Sequence, residues 1–130
     1  MLSGTKIYKV KDFIRNTETG NIDLERSKKI VRELAKVSGL RSDHNILIDL
    51  RETTISPAAS IEDIMKVALE FGSSVSNFKN KIANIIPDDQ ERMKIASRFK
   101  SCMIFQGFEY EVFTDYESAI EWLSETEDIG

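Results

Sequence analysis

Catalysis needs nucleophiles, bases or metal ligands that can meet, and this chain offers few. It has one histidine, His44, and one cysteine, Cys102. A zinc site or a cysteine–histidine nucleophile pair requires partners that converge. His44 has no second histidine and no cysteine close in sequence. Cys102 falls on the apolar stripe of a helix, where a thiol behaves as a small hydrophobe. No Gly-x-Ser-x-Gly elbow, GxGxxG or P-loop occurs, and the turns that follow the strands lack a glycine that would let backbone amides wrap a phosphate. The acidic run Pro87 to Glu91 has oxygen ligands suited to magnesium, but Asp88 and Glu91 also fit the cap of a helix. Asp49 reads as a polar residue at a strand end. The expectation is no catalytic residue, no metal and no cofactor.

One stretch remains, "RETTISPAAS", residues 51 to 60. It follows an apolar strand at its C-terminal end, where open α/β sheets place their ligands. Arg51, Glu52, Thr53, Thr54, Ser56 and Ser60 make it a candidate recognition loop, with Ser56 and Ser60 as candidate phosphorylation sites. The competing reading is a connector carrying Pro57, in which Ser60 only caps the next helix.

The elements that must position these residues are legible from periodicity. "TKIYKVKDFIRNTETG" predicts one or two short strands closing in a polar turn at Thr19-Gly20. Ile30, Val31, Leu34 and Val37 share one face of a helix that Gly39 is suited to stop. "NILIDL" (45 to 50) and "KIANII" (81 to 86) are nearly continuous apolar runs, as strands buried on both faces must be. Ile61, Ile64, Met65, Ala68 and Leu69 predict a second helix stripe. Ile95, Ala96, Phe99, Cys102 and Met103 predict a third, ended by Gly107. "FEYEVF" (108 to 113) alternates like an edge strand, and Tyr116, Ala119, Ile120 and Leu123 mark a last helix with Trp122 on its border. Three helix starts, "SIED", "DDQE" and "TDYE", pair a capping residue with an acid three positions on. Strands alternating with helices imply crossover units on a largely parallel sheet. The fold class is α/β: a mixed, mostly parallel sheet of about four or five strands with about four helices.

Composition narrows the setting. The 130 residues suit one domain, 1–130, with residues 124–130 expected as a frayed tail. Net charge is −4, which does not favour nucleic acid. Residues 1 to 36 carry nine Lys or Arg against five acids, whereas 115 to 128 carry six acids and no base. No apolar run reaches the roughly 18 residues of a membrane helix. The N-terminus lacks the apolar core of a secretory signal. A single cysteine suits a reducing compartment. These features point to the cytoplasm.

Taken with this order of elements, "VFTDYESAIEWL", "ILIDLRETTI" and the Gly20 turn before the first helix resemble STAS domains. They resemble most the small stand-alone SpoIIAA-like proteins. The likeness covers nearly the whole chain, and its motifs are short and mainly structural. It implies a STAS-like fold and, for bacterial anti-sigma antagonists of that fold, a switch by serine phosphorylation in an Asp-Ser-Ser-Gly turn. That turn falls here on Pro57, Ala58, Ala59 and Ser60, so neither serine position keeps its hydroxyl. The resemblance implies a non-enzymatic module that binds a protein partner or itself through residues 51 to 60. A second reading, from lipid-binding relatives of the superfamily, is a small-ligand carrier. It requires a cavity between the sheet and the helices bearing Phe71, Phe99 and Met103.

Overall fold

A computed structural model describes residues 6–55, 60–75 and 78–128, Lys6 and the last four of these by backbone alone. The chain runs β1 (Lys6–Lys9), β2 (Phe13–Ile22), α1 (Leu24–Leu40), β3 (Asn45–Ile55), α2 (Ile61–Ser74), β4 (Lys81–Ile85), α3 (Gln90–Phe105), β5 (Glu109–Phe113), α4 (Tyr116–Leu123) and β6 (Glu125–Asp128). β2, β3, β4 and β5 form one sheet in that order, parallel throughout. β1 and β6 form a separate antiparallel ribbon.

The strand order advances in one direction, and right-handed crossovers then carry each connecting helix to the same face. Burial agrees with this. Ile46 and Ile48 of β3 and Ile82 of β4 pack with Ile30, Val31 and Leu34 of α1, Ala68 and Phe71 of α2, and Met103 of α3. α4 follows the last strand and covers the opposite face, where Ala119 and Leu123 meet Leu47, Ala83 and Ile85. β3 and β4 are therefore buried on both sides, which explains their unbroken apolar runs. Because the order never reverses, this sheet has no topological switch point.

Several local expectations are corrected. The polar turn at Thr19-Gly20 is strand: β2 runs on to Ile22 through a register shift between Thr17 and Thr19, and Gly20 takes φ +84° there. α1 is not stopped by Gly39 but passes through it to Leu40, because no positive φ is demanded at that glycine. Gly107 does have φ +94°, and it follows α3 as expected. The caps of the two later helices are Asp89 and Asp115, one residue beyond Asp88 and Thr114, and their carboxylates accept from the backbone N–H of Arg92 and Ser118. Ser60 does cap α2. The tail expected to fray from 124 is a strand over Glu125–Asp128, because Lys6–Lys9 supplies a pairing edge. Trp122 is half-buried, against Phe113 and beneath the Lys81 ammonium.

Candidate functional site

The segment 51 to 60 is not a loop along its first half. Residues 51 to 55 extend β3 and pair with the end of β2, Thr19 to Ile22 against Glu52 to Ile55. The register shift opposite Leu50 and Arg51 resets the alternation, so the side chains go to different places. Arg51, Glu52 and Thr54 are exposed, and Thr54 bonds Asn21 across the strands at 3.2 Å. Thr53 is buried. Ser56 lies outside the described residues. Ser60 is exposed, and its hydroxyl accepts from the Asp63 N–H at 3.1 Å. The structure therefore does not gather the six candidates into one site.

Arg51 belongs to a closed ion cluster on the α4 side. Its guanidinium grips Asp49 in two bonds of 3.0 and 2.7 Å, and Arg15 approaches the same carboxylate at 3.5 Å. Arg15 in turn lies over the Tyr116 ring at 5.0 Å. The Arg51 hydrogen bonds hold the Asp49 carboxyl below its ordinary range, against the opposing effect of burial. Asp49 is thus a satisfied anchor. His44 is similarly occupied, with Nδ1 2.8 Å from the Asp43 carboxylate. No group of three metal-ligating side chains occurs among the described residues.

Thr53 leads to the other face, and to a cavity. A space of about 280 Å³ lies between α1, α2, α3 and the far ends of β3 and β4. Its walls are largely apolar, including Leu34, Ile48, Val67, Phe71 and Phe99. Phe71 and Phe99 were expected at such a cavity; Met103 is fully buried and is not part of its wall. The exposed Asp23 and half-buried Asp63 mark the mouth at the first turns of α1 and α2.

Two buried polar side chains break the apolar lining. Asn84, on β4, is 6% exposed. Its Nδ2 donates to the Tyr110 hydroxyl at 2.7 Å, and its Oδ1 has no partner. Arg92, in the first turn of α3, is 8% exposed. It donates to the Thr53 carbonyl at 2.7 Å and to the Thr53 hydroxyl at 2.9 Å, and it pairs with no carboxylate among the described residues. Burial lowers the pKa of Arg92 and Asp89 partly offsets this, yet a guanidinium keeps its charge. Burial pushes the Tyr110 phenol far above the ordinary range, so it stays an O–H donor.

Sequence reasoning passed over Asn84 and Arg92, although both left a signal. Asn84 interrupts the apolar run Ile82 to Ile86, and Arg92 sits on the spacing of Ile95, Ala96 and Phe99. A polar residue at a core position is either satisfied inside the protein or waits for something else.

An α/β domain with parallel strands in sequential order, three helices on one face and a fourth on the other is the STAS-type arrangement. A model of the SpoIIAA-like family matches residues 14–124, and the chain belongs to that family. No match was found among curated proteins or among solved structures. No helix among the described residues is long and apolar enough to cross a membrane.

Proposed function

We propose that the protein is a non-enzymatic module that binds a small apolar molecule in the cavity between its sheet and α1–α3. The cavity itself carries this reading. Protein interiors are packed to the density of organic crystals and leave few voids larger than a water molecule. A half-open space of about 280 Å³ lined largely by core side chains lies just below the roughly 300–1,000 Å³ typical of ligand sites. Native mass spectrometry of protein purified gently from its own cells tests it, with retention of a small molecule expected. Ala96 lines the space and is 5% exposed, so Ala96→Leu would fill it in part. The filled variant should fold and lose the retained mass. A bare chain in both forms, with no thermal shift on addition of apolar compounds, would defeat the reading.

A second reading, self-association, is favoured by one observation. Ile61, Met65 and Leu69 were expected in the core, but they are 55%, 49% and 59% exposed. They repeat every four residues, while Ile64, Ala68 and Phe71 take the buried face. A solvent-facing apolar row of this kind suits a protein contact. Light scattering over a concentration series checks it: dimers should appear in the parent and vanish in Leu69→Asp. A monomer at every concentration removes this reading.

A further inference from the structure

We infer that the cavity takes an amphipathic monoanion, its carboxylate-like head held by Arg92 and Asn84 and its apolar body lying among the helices. This rests on the proposed cavity function and specifies its ligand. Two independent features point the same way. The first is the buried Arg92 guanidinium. A buried charge is normally paired, but Arg92 bonds only the two oxygens of Thr53, with Asp89 acting on it through space. That contact occupies two of its five N–H groups and supplies no negative charge. The second is the orphaned end of Asn84, 94% buried and in the cavity wall.

The amide of Asn84 can be turned either way, since its nitrogen and oxygen are nearly isosteric. In each orientation one atom meets the Tyr110 hydroxyl and the other is left without a protein partner. An entering carboxylate selects the orientation in which Tyr110 O–H donates to Oδ1. Nδ2 then donates to the ligand beside the Arg92 guanidinium. Charge-assisted bonds of this kind are roughly twice as strong as neutral ones. The other orphaned amide oxygen among the described residues, on Asn16, is not in the cavity wall.

Acids also line the space, and they would favour a cationic head if they acted inside it. Asp23 and Asp63 do not. Asp23 caps α1, and Asp63 stands in the first turn of α2, so helix N-termini already balance both. Arg92 and Asn84 are buried, whereas Asp23 is exposed and Asp63 half-buried.

Octanoate, octanol and octylamine share one apolar chain length and differ in head charge, so calorimetric titration of the full chain with each tests the inference. Octanoate should bind at least about tenfold more tightly than octanol, and octylamine weakest. Arg92→Met should abolish the preference for octanoate while octanol binding persists. Should Arg92→Met fail to fold, the pair Asn84→Leu with Tyr110→Phe removes both partners of a buried polar contact, which is near neutral for stability. That double variant should keep the parent melting temperature and lose about tenfold in octanoate affinity. Equal binding of octanoate and octanol, or preference for octylamine, would overturn the anion inference and leave the cavity reading standing. Failure of all three to bind would overturn both.

Discussion

Thr53 holds the Arg92 guanidinium with both of its oxygens, the carbonyl at 2.7 Å and the hydroxyl at 2.9 Å. The same hydroxyl donates to the Leu50 carbonyl at 2.6 Å, so one side chain ties the far end of β3 to the start of α3. Thr53 was expected to face a partner in solution. It faces inward instead, and its task is to aim a cation.

Thr53→Val keeps the shape and removes the hydroxyl. It leaves Arg92 with one bond fewer in a buried setting, and the expected loss is about 1–3 kcal/mol in urea unfolding. The octanoate preference should fall as well, because the guanidinium loses its orientation. A loss of stability with an unchanged preference would mean that Thr53 supports the fold alone.

Asp49 and Arg51 give a pH signature. The folded Asp49 carboxyl lies below its ordinary 3.8, so its contribution is present above that pH and is lost as pH falls through the folded value. Asp49→Asn should therefore destabilise the protein near neutral pH by about 1–2 kcal/mol, a charged hydrogen bond discounted for the partial exposure of Arg51. The difference from the parent should shrink progressively below about pH 4. A pH-independent difference in chemical denaturation would assign the effect to packing.

Ser60 offers a sharper choice between its two expected roles. As a cap it makes Ser60→Ala cost about 1 kcal/mol, whereas Ser60→Asp, an equally good cap, should be near neutral. Thermal melts of both variants decide this. If Ser60→Ala melts with the parent, the hydroxyl is free of the structural task that the 3.1 Å bond to Asp63 implies.

The sheet and helices were legible because their signals are local. A run such as Ile46, Leu47 and Ile48 states two-sided burial directly, and every helix of the main sheet was located from its stripe. What sequence could not state was which flank of a stripe faces inward. Ile61, Met65 and Leu69 share the α2 pattern with Ile64 and Ala68, yet a small rotation of the helix put the first three in solvent. The site was misplaced for a related reason. A hydrophilic segment after a strand reads as a loop, but here β2 continued far enough to pair with it, and the register shift opposite Leu50 and Arg51 then divided Arg51 from Thr53. Asn84 and Arg92 were hidden because their meaning depends on neighbours that only the folded chain supplies, Tyr110 and Thr53.

The two faces of the sheet are covered unequally. α1, α2 and α3 share a large buried cluster, whereas α4, eight residues long, seals its side with only Ala119 and Leu123 fully buried. Local opening follows the number of apolar contacts that must be broken. Amide hydrogens of α4 should therefore exchange with deuterium well before those in the middle of α1 and α3, at a rate set by partial rather than global unfolding. Filling the cavity with ligand should slow exchange on the three-helix side and leave α4 as it was. The thinner layer is the door through which this protein first meets solvent.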